Sequence, residues 1–262
     1  MRKFGFKLFS TNLQNNPALV DEAAEFVRNH KERMFIELMV IPDCGIESLN
    51  IFKHKFADLE VRIHAPHNIM GFDAGSRELE KSNIRILASS QRAADILQAK
   101  SIVVHAGCGH GARYLQETAR QFKLFADSRI VVENLPAFAS DETPLHGNTP
   151  DEIALIMAES GCGFCFDFSH AICAANYYGL DIKSQLKGFY NLKPTVYHMC
   201  DGMMGEMQDK HLHFGDGNYP LEDYLNGYTA SNAYITMETG HGIPVSIKPW
   251  VKDYEYLLKS EK

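Results

Sequence analysis

The chain has 262 residues, 45% of them hydrophobic and 23% charged, which suits an ordinary globular protein with one large core. Its formal net charge of −7 supplies no overall attraction to nucleic acid or to an anionic membrane, although a local basic surface or bound cations would. No run of about 18 uncharged apolar residues occurs, and the opening "MRKFGFKLFS" has no small-residue cleavage site, so a cytoplasmic monomer without membrane association is expected.

Along the chain, short β-rich apolar runs alternate with amphipathic stretches, and no Pro/Gly/Ser linker divides them. Strands are predicted at 3–9, 34–40, 59–65, 101–107, 129–134, 162–168, 195–200 and 233–239. Between them the spacing predicts helices at 18–30, 45–55, 76–98, 111–126, 149–159, 171–188, 220–227 and 246–259. The start signals are clear at "NTPDE": Thr149 can cap, Pro150 suits the first helical position, and acidic residues fill the first turn. Eight βα units of roughly 33 residues each are the expected length of a (β/α)₈ TIM barrel, an α/β fold forming a single domain over 1–262. A doubly wound sheet would instead show a Gly-rich turn after its first strand, and "LFSTNLQNN" has none.

In a barrel of this kind, chemistry sits at the C-terminal ends of the strands. His64 closes the third strand, His105 the fourth, Glu133 the fifth, Asp167 the sixth with His170 just beyond, His198 the seventh and Glu238 the eighth. The loop after the seventh strand adds Asp209 and His211 in "DKH", with His213 close behind. Buried carboxylates are costly unless paired or metal-bound, so four of them converging with five histidines imply cations. The mixed N/O donor set suits zinc first, with manganese or iron as alternatives.

The six cysteines are scattered, and the two of "CGFC" at 162–165 would point to opposite faces of a strand, so packing thiols are expected. His30, His54 and His146 read as surface residues, while His110, His213 and His241 are candidates for groups near the substrate. "GCGHG" at 107–111 fits a phosphate cradle or a tight βα turn equally well.

The motifs "IHAPH", "VVHAG", "VVEN", "DFSHA", "YHMCD", "QDKHLHFGDGN" and "METG" resemble those of the xylose-isomerase-like barrel superfamily. Within it the chain looks most like endonuclease IV (AP endonuclease family 2), which cuts DNA at abasic sites. The resemblance implies three divalent metals. His64 and His105 would hold the first, with Glu133 bridging to a second that Asp167, His198 and Glu238 complete; His170, Asp209 and His211 would hold the third. It further implies phosphodiester hydrolysis by water that the metals acidify, with Glu133 orienting the nucleophile and Glu238 beside it. Sugar isomerases and epimerases of the same superfamily resemble the chain at Glu133, Asp167, His170, His198 and Glu238. In that alternative Glu133 and Glu238 are the paired acid and base on a sugar or sugar-phosphate substrate.

The expected partner is abasic-site DNA or a smaller phosphoester or sugar. His67, Lys210 and His213 are the candidate substrate-binding residues; Lys7 and Arg113 also lie where a phosphate would approach, although such side chains usually just face solvent. The chain departs from endonuclease IV around the mouth. The loop "IPDCGIES" is acidic and lacks arginine, His67 and Asn68 stand at the wedge positions, and "LPAFAS" replaces a Gly-rich turn, leaving Phe72 or Phe138 to substitute as wedges.

Overall fold

The strands are set by alternation. In β1 (Lys3–Phe9), Phe4, Phe6 and Leu8 join the outer hydrophobic core, so Gly5, Lys7 and Phe9 face the opposite way, into the barrel. The computed structural model describes residues 1–42, 44–240 and 244–262. Seven further barrel strands follow: β2 (Met34–Met39), β3 (Val61–His64), β4 (Ile102–His105), β5 (Ile130–Glu133), β6 (Gly163–Asp167), β7 (Val196–Met199) and β8 (Tyr234–Met237). All pair in parallel in sequence order, and β1 closes the barrel on β8 with Lys3 opposite Tyr234 and Phe6 opposite Met237. The chain is a (β/α)₈ barrel, as the spacing predicts.

The interior is filled in layers. At the N-terminal end the Arg62 guanidinium lies 3.7 Å from the Tyr234 ring centre and donates to Ser101 Oγ at 2.8 Å. Phe35 packs there too, and a Cβ on Gly5 would lie 2.5 Å from its ring, so only glycine fits opposite it. Above sits a small apolar cluster of Val103, Val131, Cys165 and Val196. The C-terminal layer is polar.

Helices pack outside. Pro17–Asn29, Ile46–Lys55, Glu80–Leu97, Ala112–Phe125, Pro150–Ser160, Leu221–Tyr228 and Lys248–Ser260 lie where the pattern puts them, the third starting four residues late. Thr149 caps its helix by accepting from Glu152 N. The predicted helix 171–188 is two helices, Phe168–Tyr178 and Ile182–Asn191. Asp167 caps the first, moving its start back to 168. Gly179, at φ +64°, ends it, and Asp181 caps the second through Ser184 N. A two-stranded antiparallel ribbon, Gly107–Cys108 with Leu145–His146, lies beside the mouth.

That ribbon corrects the placement of His146, which is buried rather than on the surface. Its Nδ1–H donates to Gly109 O at 3.1 Å and its Nε2 accepts from Thr118 Oγ1 at 2.7 Å, so both ring nitrogens are satisfied inside. His30 and His54 are exposed as expected. Among the described residues no helix is long and apolar enough to cross a membrane.

Candidate metal centre

The six strand-end residues, His170 in the first turn of the helix Phe168–Tyr178, and Asp209 and His211 of the loop after β7 all meet at the C-terminal mouth. Their donor atoms form overlapping groups, each spanning no more than 4.8 Å: His64, His105 and Glu133; then Glu133, Asp167, His198 and Glu238. Asp209 Oδ2 lies 3.5 Å from His170 Nε2 and 3.4 Å from His211 Nε2, which makes a third.

Local folding aims these atoms. His64 Nδ1–H donates to Ala65 O at 2.8 Å, His170 Nδ1–H to Asn134 O at 2.9 Å, and His211 Nδ1–H to Glu238 O at 2.9 Å. In the neutral ring that a metal would meet, each bond to a carbonyl fixes the tautomer and puts the lone pair on Nε2. Asn134 clamps Asp167 from β5, its side chain donating to Asp167 O and accepting from Asp167 N, both at 2.8 Å. Asp209 is held by Ser169 Oγ at 2.8 Å and His211 N at 2.9 Å, and His211 adopts a left-handed backbone at φ +44°. Strain of that kind in a non-glycine residue concentrates at functional sites. The loop carrying both is anchored by buried Asp201, which accepts from the backbone N–H groups of Gly202, Gly215, Gly217 and Tyr219 at 2.8–3.1 Å.

The donor atoms fit metal ions. His64 Nε2 and His105 Nε2 each lie 3.3 Å from Glu133 Oε2, and two ligands on a tetrahedral zinc at about 2.0–2.1 Å stand about 3.3 Å apart. His64 Nε2, Glu133 Oε2, Asp167 Oδ2, Asp209 Oδ2 and Glu238 Oε2 are buried and make no hydrogen bond of good geometry. The partners nearest to them belong to the same cluster, imidazole nitrogens against carboxylate oxygens at 2.7–3.5 Å, a pattern that shared cations would complete.

Electrostatics agree. Burial lifts the Asp167 carboxyl to about 7, with Asp209, Glu133 and Glu238 adding to it against His170. Burial opposes a charge on His170, but Asp167, Glu133, Asp209 and Glu238 outweigh it and raise its pKa to about 9. Burial, with His105 and His64 beside it, pushes His67 down to about 3. The mouth is thus a place where carboxylates crowd until something positive joins them.

One charged residue escaped the sequence reading of the site, and a second takes a partner that the reading did not give it. Glu37, in the middle of β2, is fully buried; it accepts from His198 Nε2 at 3.1 Å and from Thr236 Oγ1 at 2.8 Å. Lys7, anticipated as a phosphate contact, is instead ion-paired with Glu238. A charged residue at an inward position of an otherwise apolar strand is the signal that finds both. Cys165 and Cys200 also stand within ligand reach, Cys200 Sγ lying 3.4 Å from Asp209 Oδ1, so thiols border a site that reads from sequence as purely N and O.

A cavity of about 500 Å³ opens off the mouth, walled by Lys7, His67, His211, His213, Glu238 and Trp250 among others. His67 stacks on His105 at 4.9 Å between ring centres. His213 Nδ1–H donates to Asp253 Oδ2 at 2.7 Å, and Asp253 also accepts from Phe214 N at 3.0 Å and from Thr239 Oγ1 at 2.5 Å. Lys210 is half-buried but is not on the cavity wall. Arg113 is exposed over the Tyr114 ring, and His110 is exposed, edge-on to Phe138. Phe72 is buried against Phe125 and cannot serve as a wedge; Phe138 is half-buried against Tyr177. His241 and Asp43 lie outside the described residues.

A parallel eight-stranded barrel with its polar cluster at the strands' C-terminal ends has the layout of the (β/α)₈ enzymes. The chain belongs to the xylose isomerase-like TIM barrel family, whose sequence profile matches residues 3–258. It is 25% identical over 194 residues to the probable endonuclease 4 of Mycobacterium ulcerans and equally to that of Mycobacterium marinum, covering 71% of this chain and 75% of each relative. Among solved structures, a D-tagatose 3-epimerase-like protein superposes with a TM-score of 0.72 at 19% identity, covering 98% of this chain and 96% of that one. Endonuclease IV from Thermus thermophilus superposes with 0.68 at 20% identity, covering 98% and 99%. A further protein of that organism, soaked with zinc chloride, gives 0.69 at 16% identity over 99% and 100%. The structural likenesses establish the fold, and they include both kinds of enzyme.

Proposed function

We propose that the protein is a phosphoester hydrolase that uses three divalent metals, zinc first, and that DNA cut at an abasic site is its substrate. The observation that carries this reading is Asp209 Oδ2, buried, without a hydrogen bond, and shared by the Nε2 atoms of His170 and His211. A one-metal sugar isomerase has no use for that group. The likeness to probable endonuclease 4 proteins supports the same reading.

His64, His105 and Glu133 would hold one ion, Glu133, Asp167, His198 and Glu238 a second, and His170, Asp209 and His211 a third. Bound there, the ions would supply positive charge to a phosphoryl group and acidify water. The chain's own residues set the charge that a substrate meets. Five carboxylates, Glu37, Glu133, Asp167, Asp209 and Glu238, face one lysine, Lys7. Three dications leave the mouth near +2, which favours a phosphodiester; a single dication leaves it near −2, which repels one. Glu133, reached by His64, His105 and His198, ties the first two groups together. His67 and His213 face the cavity, where they would contact the sugar next to the phosphate.

A second reading, a one-metal sugar or sugar-phosphate epimerase, is favoured by one feature. Glu133 Oε1 and Glu238 Oε2 both reach His198 Nδ1, at 3.0 and 2.7 Å, so two carboxylates converge where an acid and base pair would work. Elemental analysis separates the two readings. Three ions per chain, with nicking of a duplex that carries a tetrahydrofuran abasic analogue, is the expected result. One ion per chain, ketose turnover and no nicking would establish the epimerase.

A further inference from the structure

His198 is held differently from His64, His170 and His211. His64, His170 and His211 each give their Nδ1–H to a backbone carbonyl and aim Nε2 inward. His198 is reversed: its Nδ1 lies 3.0 Å from Glu133 Oε1 and 2.7 Å from Glu238 Oε2, while its Nε2 faces Glu37 Oε2 at 3.1 Å. Here a side-chain carboxylate, rather than a backbone carbonyl, takes the outer ring nitrogen. Glu37 is fully buried, and its accepting oxygen is fixed a second time by Thr236 Oγ1 at 2.8 Å. It sits beside Lys7 in the β1–β2 register, so the barrel brings a cation next to it.

We infer that Glu37 is a positioning residue for the second metal: by holding the Nε2 proton of His198 it fixes the tautomer that offers Nδ1 to the Glu133, Asp167 and Glu238 group. A carboxylate behind a ligating imidazole also makes the ring a stronger donor, which a neutral carbonyl does less well. The Nδ1-facing site therefore depends on one buried carboxylate of β2, whose Oε2 takes His198 Nε2 and Thr236 Oγ1 while Oε1 is left without a hydrogen bond near His64. The inference rests on the three-metal reading, and Glu37 touches neither substrate nor reacting atoms.

The test is zinc binding, not turnover. Calorimetric titration of metal-free protein, with elemental analysis after dialysis, should find three ions on the native chain. Glu37→Gln should weaken one of the three by about 10- to 100-fold and leave two unchanged. Thr236→Val should weaken the same ion by a smaller factor. Histidine-selective proton–nitrogen spectra of the zinc-loaded native protein decide the matter even if a variant misfolds, since His198 should carry its proton on Nε2 while His64, His170 and His211 carry theirs on Nδ1. Three unchanged affinities in a folded Glu37→Gln protein, or a His198 proton on Nδ1, would overturn the inference. Fewer than three ions on the native chain would instead overturn the three-metal reading.

Discussion

Replacing Asp209 by asparagine removes one oxygen's charge while keeping the side chain's shape. In the native chain Oδ1 is occupied by Ser169 Oγ and His211 N, and Oδ2 is the atom left for a metal, 3.4 and 3.5 Å from two imidazole lone pairs. An asparagine that keeps the two Oδ1 bonds must turn its NH₂ toward His170 and His211, where it donates to the same lone pairs. The fold therefore survives, but against burial His211 and His170 hold the Asp209 carboxyl below its ordinary range, so losing that charge costs the metal-free protein a little stability. What is lost is the only anionic ligand of the third group. Removing a preorganised charge stabiliser of this kind costs about 10²–10³ in kcat, about 2.7–4 kcal/mol of transition-state stabilisation. Elemental analysis should give two ions per chain, and nicking of abasic-analogue DNA should fall by that factor, with the metal-free protein still folded and its melting temperature only slightly lowered. A variant that keeps three ions and the native rate would refute the assignment of Asp209, and with it the reason for preferring a hydrolase.

Metal binding should release protons, because a protonated His170 (about 9), a half-protonated Asp167 (about 7) and His198, whose pKa, against burial, neighbouring anionic groups raise well above its ordinary value, cannot ligate as they stand. Zinc titration at pH 7 in buffers of different ionisation enthalpy should show about two to three protons lost per chain, with affinity rising toward pH 9 and falling as pH drops below 7; no buffer dependence would contradict the ligand set. Lys7→Met strips the lysine paired with Glu238 and leaves His198 as its partner, so the metal-free protein should lose about 3 kcal/mol, on the order of 6–12 °C in melting temperature, and zinc should restore most of it. Equal losses with and without zinc would show that Lys7 does not stand in for metal charge. His213→Ala should raise KM several-fold at unchanged kcat and metal content, since its Nε2 faces the cavity while Asp253 holds Nδ1; a fall in metal content would place it among the ligands.

The barrel was legible because eight apolar runs at even spacing admit few other folds, and because the fold itself says where to look for polar residues. His64, His105, Glu133, Asp167, His198 and Glu238 end their strands, and that is why they could be picked out one by one. Glu37 could not be found by that rule, since it lies mid-strand and becomes visible only through the inward parity it shares with Phe35 and Met39. The division of 171–188 into two helices turns on a single glycine, Gly179, which a helical pattern tolerates on paper but which here takes a left-handed backbone. His146 was misplaced because a histidine between "TPL" and "GNTP" looks like a loop residue, and only the ribbon with Gly107–Cys108 reveals its two buried bonds.

On the proposed reading, the difference between two chemistries on one barrel turns on four residues, two of them in one loop. Glu133, Asp167, His170, His198 and Glu238 form a group that both hydrolases and epimerases resemble, and the extra positive charge needed to hold a phosphodiester depends on His64, His105 and, beyond the strands, on Asp209 and His211. The placement of the last two is set by Asp201, a buried carboxylate that gathers four backbone N–H groups from 202–219, and by the left-handed turn at His211, whose carbonyl accepts from Gly240 N. Such a loop can be reshaped without disturbing the barrel beneath it, because its hydrogen bonds close mostly on themselves and on residues at the strand ends. Solved barrels of such similar shape carry the names of both an epimerase-like protein and an endonuclease, so the shape of the barrel does not decide between the two chemistries.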